Sequence, residues 1–130
     1  MPFPVDESFI VALETELGVR LPDCYGSWMM DRNGGTIFLA EDDWELHPVQ
    51  DTSDRKRISR TANHVLKEQA AYQDWIGAKP DTLSIATNGC GDHLVLMKQG
   101  DRYLPEVYRW DHKTGNLLLC ASSIQEAVRE

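Results

Sequence analysis

Cys90-Gly91-Asp92-His93 sets a thiol, a carboxylate and an imidazole close together, and Asp111-His112 repeats the carboxylate–imidazole pair. These are the residues whose types and spacing could do chemistry. A Cys90 thiol near His93 or His112 fits a nucleophile with its base, yet such catalysis also needs an oriented base and an oxyanion site. Cys90-x-x-His93 has the spacing of half a zinc site, but zinc takes four N/S ligands, usually as two such pairs. The other cysteines, Cys24 and Cys120, stand alone. Asp92-His93 and Asp111-His112 could meet for metal or acid–base work. Both sit in turn-forming stretches, where Asp is favoured for its backbone hydrogen bonds alone. No glycine-rich loop leads into a helix, as a phosphate cradle requires. The expectation is no catalytic residue, no metal and no cofactor, with Cys90 a small turn residue and Asp92 capping its glycine turn.

A second cluster carries charge instead of reactivity. Glu41, Asp42, Asp43 and Glu45 surround Trp44, and the whole chain holds 21 acidic against 13 basic residues, net −8. Such a field repels phosphate backbones and attracts basic surfaces, which argues against nucleic acid and for a basic protein partner. Four neighbouring carboxylates repel one another, a cost that folding alone does not require. The five residues Glu41 to Glu45 are therefore the candidate partner-binding residues, although alternation with Leu46 also fits Trp44 to a buried face. The basic stretch Arg55, Lys56, Arg57, Arg60 and Lys67 reads as a solvated helix face, since cations at a helix start oppose its dipole.

These residues need elements to hold them. Asp6 caps a first helix carrying the stripe Phe9, Leu13 and Leu17, ended by Gly18. Pro22 opens a second helix with Tyr25, Trp28 and Met29 on one face, stopped at Asn33-Gly34-Gly35. A strand over 36–39 and an edge-type strand over 44–49, limited by Pro48, follow. Ile58, Ala62, Val65, Leu66, Gln69, Tyr72 and Ile76 trace one long middle helix over 53–76. Ile85 to Leu96 then forms two strand pieces broken at Asn88-Gly89-Cys90-Gly91. Gly100 and Pro105 punctuate a connector from Met97 to Glu106, and strands at 107–110 and 117–119 flank the turn Asp111 to Asn116. Ser123-Ile124-Gln125-Glu126 is a capping box for a short C-terminal helix. The sum is one α+β domain over residues 1–130, with a central, mainly antiparallel sheet packed by these helices.

A chain of 130 residues is long enough to bury a sizeable core as one domain. An odd number of scattered cysteines, with no apolar run near the ~20 residues of a membrane helix, points to a reducing, cytoplasmic setting and no membrane.

The motifs also resemble a family. Glu16-Leu17-Gly18-Val19-Arg20-Leu21-Pro22-Asp23, Tyr25 and Asn33-Gly34-Gly35 are similar to the N-terminal signature of the SUKH superfamily. That superfamily contains fungal cell-wall-assembly regulators and bacterial toxin-immunity proteins. Ile85-Ala86, Gly89-Cys90-Gly91-Asp92, Val107 to His112 and Ser123 resemble its second signature, with Ser123-Ile124 where members often have Ser-Phe. The resemblance implies an α+β fold in which Leu21, Pro22, Asn33, Gly34, Gly35, Gly91, Asp92, Trp110 and Asp111 are structural. It implies no catalysis. It points to an immunity protein that binds and neutralises a toxin domain, often a nuclease, with a regulatory scaffold for an endogenous protein as the alternative. An enzyme using Cys90 with His93 or His112 is the third reading.

Overall fold

Asp6 begins the structure in the way its side chain demands: Oδ2 accepts the Ser8 N–H at 3.0 Å and opens helix α1, Glu7–Leu17. The computed structural model describes residues 2–130. Helix α1 ends at Gly18, whose N–H donates to Glu14 O, and α2 covers Asp23–Asp31. Their buried faces are Ile10 and Leu13 on α1, and Tyr25, Trp28 and Met29 on α2.

Seven strands follow, β1 Gly35–Leu39, β2 Asp42–Leu46, β3 Thr82–Thr87, β4 His93–Gln99, β5 Arg102–Trp110, β6 Leu117–Ala121 and β7 Val128–Arg129. They form one sheet in the order β6-β5-β4-β3-β2-β1-β7, every pairing antiparallel. The fold is thus a single α+β unit around an antiparallel sheet. Register sorts the side chains onto two faces. Ile37, Trp44, Leu83, Leu94, Leu96 and Val107 join the main core beneath α1 and α2. Val95 and Trp110 look the other way and pack under Tyr72.

The middle segment differs from the single helix its periodicity predicts. It is two helices, α3 Arg55–Arg60 and α4 Val65–Gln73. Thr61 makes the break: its Oγ1 donates to Arg57 O at 2.8 Å and accepts the Asp51 N–H at 3.0 Å. His64 is then extended, and Val65 N donates to Pro48 O at 2.9 Å, which redirects the chain. Ile58 and Ile76 are exposed as a result, whereas Val65 and Tyr72 are buried. Gln69 locks α4 to the sheet, its amide donating to Thr82 O at 2.8 Å and accepting from Ser84 N at 2.7 Å.

Two further expectations are corrected. The connector from Met97 to Glu106 is a β4–β5 hairpin, and Pro105 lies inside β5. The pairing jumps from Leu96↔Val107 to Lys98↔Tyr103, so Leu104, Pro105 and Glu106 bulge away from β4. A proline there removes no ladder bond. The C-terminal helix is a single 3₁₀ turn, Ile124–Glu126, because residues 128–129 pair with β1 instead. The Glu126 carboxylate accepts from Ser122 N at 2.6 Å, one residue before the capping box that the sequence indicates.

Candidate partner-binding face

The residues that could do chemistry build a brace between two turns. In the glycine turn, Asn88 Oδ1 accepts the N–H groups of Cys90 at 2.9 Å and Asp92 at 3.2 Å. The cap expected of Asp92 is therefore supplied by Asn88. Asp92 reaches across to the β5–β6 turn, where its Oδ1 accepts from His112 N at 3.1 Å and His112 Nδ1 at 2.6 Å. Its Oδ2 takes a forked pair from Arg109, Nε at 3.0 Å and Nη2 at 2.8 Å. Burial opposes the charge on Asp92, but the bonds from His112 and Arg109 outweigh it and hold the carboxyl below its usual range. Gly91 lets the turns close on each other: its φ is 104°, and a Cβ there would lie 3.0 Å from the His112 ring.

Arg109 extends the brace to the start of β2. Its Nη2 lies 3.4 Å from Asp42 Oδ2, which also accepts from Asn88 Nδ2 at 3.0 Å. The guanidinium sits 5.1 Å from the centre of the Trp44 ring, a cation–π contact. Asp92, Asp111 and His112 bring a ligand atom each to within 4.8 Å of one another. Both Asp92 oxygens are nevertheless engaged, and Asp111 Oδ1 accepts from Lys113 N. Cys90 is exposed at the turn tip, while His93 points through the sheet to its other face. His93 is thus turned away from the thiol, and His112 is held through Nδ1 by Asp92.

His93 belongs instead to a buried polar chain. Its Nδ1 lies 2.7 Å from Ser84 Oγ, which lies 3.0 Å from His47 Nε2. The Tyr72 and Trp110 rings close over His93 at 4.9 and 5.6 Å. Desolvation pushes His47 down to about 3 with help from His93, and pushes His93 down to about 4 against the pull of Asp92.

The acidic run is divided by its own alternation. Trp44 is wholly buried, its Nε1 donating to Leu39 O at 2.9 Å, so it is core and offers a partner nothing. Asp42 faces Arg109, as described. Ala40 and Glu41 form the tight β1–β2 turn, both at positive φ, 53° and 60°. Asp43 and Glu45 point to the opposite face.

That face is the half of the sheet that α4 leaves uncovered. Phe38 pairs with Asp43 on one side and Val128 on the other. Phe38 is 43% and Val128 60% exposed. Glu45, two pairs further along β2, stands opposite Thr36, and Glu130 N donates to Thr36 O at 3.0 Å. The Asp43 carboxyl raises the pKa of Glu130, the mark of two acids crowded together. An apolar centre is thus set among Asp43, Glu45 and Glu130. The basic helix α3 stands beside Glu45: Lys56, Arg57 and Arg60 gather over the Phe3 ring at 5.5, 4.5 and 4.8 Å, and Arg57 and Arg60 line one pocket with Glu45.

A family model covers this whole arrangement. The SMI1 / KNR4 family (SUKH-1) matches residues 4–130. The chain belongs to the SUKH superfamily. No curated protein matches it. In this SUKH chain, Leu21 is buried core, Asn33 holds Val49 through both N–H and C=O, and Asp92 and Asp111 shape the paired turns. Trp110 fills the second face, its Nε1 donating to Gly77 O at 3.0 Å. Among the described residues, no helix is long and apolar enough to cross a membrane.

Proposed function

We propose that this SUKH chain is a non-enzymatic immunity protein that binds a toxin domain in the cytoplasm of the producing cell and neutralises it by covering a basic surface. The observation that carries this reading is the open sheet face, with Phe38 and Val128 at its centre and Asp43, Glu45 and Glu130 around them. A desolvated aromatic centre supplies affinity, and carboxylates speed the encounter with a basic partner. A nuclease fits well, because its substrate-binding surface must be basic. Of the acidic run, Asp43 and Glu45 are the direct determinants, and Glu41 adds to the field from the turn tip. Asp42 contributes through the brace that fixes β2.

The test starts from native lysate: the protein that co-purifies is identified, and its association is measured at low and high salt. Asp43→Ser with Glu45→Ser should slow association several-fold and flatten its salt dependence, and Phe38→Ser should speed dissociation. Unchanged rates in both variants would remove this face as the docking surface. Recovery of an endogenous regulatory protein in place of a toxin would support the scaffold alternative.

A further inference from the structure

The sheet has a second open feature at its far end. β6 is the edge strand next to β5, and its Leu118 and Leu119 are 67% and 59% exposed. Edge strands are ordinarily protected by lysine, proline or a covering element, because unpaired N–H and C=O groups invite another strand. Here the whole stretch from Asn116 to Gln125 contains neither a charged residue nor a proline. The Asp111 N–H to Asn116 O bond, 3.0 Å, sets the phase of the β5–β6 ladder. Antiparallel alternation then makes Arg109↔Leu118 the next bonded pair and aims the N–H and C=O of Leu117 and Leu119 off the sheet.

We propose that β6 pairs with β6 of a second copy of this chain, antiparallel about a two-fold axis at Leu118, so that two sheets become one. Leu117 of one copy faces Leu119 of the other, and both outward-pointing residues exchange their hydrogen bonds. The two Leu118 residues then meet as a non-bonded pair, the closer kind of cross-strand contact. Charge selects this occupant. Each copy carries −8, so two copies repel least along a stretch that holds no charge, and on this stretch the register closes on itself about Leu118. A basic partner is drawn instead to the acidic face of β1 and β2, at the opposite end of the sheet, and both contacts can be held at once.

Sedimentation velocity over a wide concentration range tests the proposal. The protein should run at twice its 14.8 kDa chain mass. Leu118→Lys should run as a single chain with an unchanged circular dichroism spectrum, since Leu118 supports nothing in the core. Leu118→Cys, made with Cys24, Cys90 and Cys120 all changed to Ser, should oxidise to a covalent dimer across the axis. A wild-type protein of single-chain mass at every concentration would overturn the proposal. So would a dimer that survives Leu118→Lys, or failure of Leu118→Cys to cross-link. Amide exchange at Leu117 and Leu119 that slows only when a co-purified partner is added would also overturn it, by assigning the edge to that partner.

Discussion

Acidification from pH 7 to pH 5 should destabilise the protein through His47 and His93 more than through any other pair. In an unfolded chain an imidazole titrates near 6.5, whereas the folded values fall to about 3 and about 4. Because both folded values are depressed, the histidines favour the native state fully above pH 6.5. That contribution is lost as pH falls toward 4 and then 3. At pH 5 each unfolded imidazole is almost wholly protonated while its folded counterpart stays neutral. The difference is about 2 kcal/mol per histidine, or about 4 kcal/mol for the pair. Typical domains are stable by only 5–15 kcal/mol, so this is a large share. Asp92 does not confuse the window, because the stability from its lowered pKa is lost only below its ordinary value of 3.8. The assay is urea unfolding, followed by tryptophan fluorescence, at both pH values. Wild type is compared with His47→Gln, His93→Gln and the double variant. Wild type should lose about 4 kcal/mol more than the double variant on acidification, and about 2 kcal/mol more than either single one. Equal losses in all four proteins would refute the assignment of neutral, desolvated imidazoles.

Asp92→Ala strands Arg109 and His112 together and should cost about 2–3 kcal/mol in chemical denaturation, as expected for charge-assisted hydrogen bonds to a mostly buried carboxylate. A variant that melts like wild type would show that the two turns hold without their brace. Glu41→Gly removes a left-handed non-glycine residue from the β1–β2 turn and should stabilise by about 1 kcal/mol, read as a rise of a few degrees in Tm; a fall in Tm would contradict a strained turn.

Much of the sheet is legible because its turns announce themselves chemically. Asn88 to Asp92 and Asp111 to Asn116 carry glycine and Asp at the positions that the backbone needs, and both turns lie where the sequence places them. The middle helix misleads because the signal that breaks it is not local: Thr61 stops the helix by bonding to Asp51, ten residues back. β7 is hidden for a related reason, since a capping-box pattern describes Ser123 to Glu126 but is silent about a strand completed by β1. The acidic run is visible as a whole and misread in its parts. A two-residue period sends Trp44 to the core and Asp42 to Arg109, a partner 67 residues away that no neighbouring residue announces. Phe38 could have been found, because a strand reading Ile37-Phe38-Leu39 with both outer residues buried must turn Phe38 to the opposite face.

The strand order also says how the protein should assemble. From β1 to β6 every neighbour in the sheet is the next strand in the sequence, so those contacts need only one loop closed at a time. The pairing of Ile37 and Phe38 with Arg129 and Val128 is different, because it spans most of the sequence. Its loop-closure entropy is worthwhile only once the meander already exists. β7 is therefore a late latch, held by Arg129 through Trp28 O at 3.0 Å, Asp31 at 3.5 Å and the Trp28 ring at 3.9 Å. A latch of two residues also opens first, and each opening bares the β1 edge and lifts Val128 away from Phe38. The surface offered to a partner is then only as persistent as its last-formed strand.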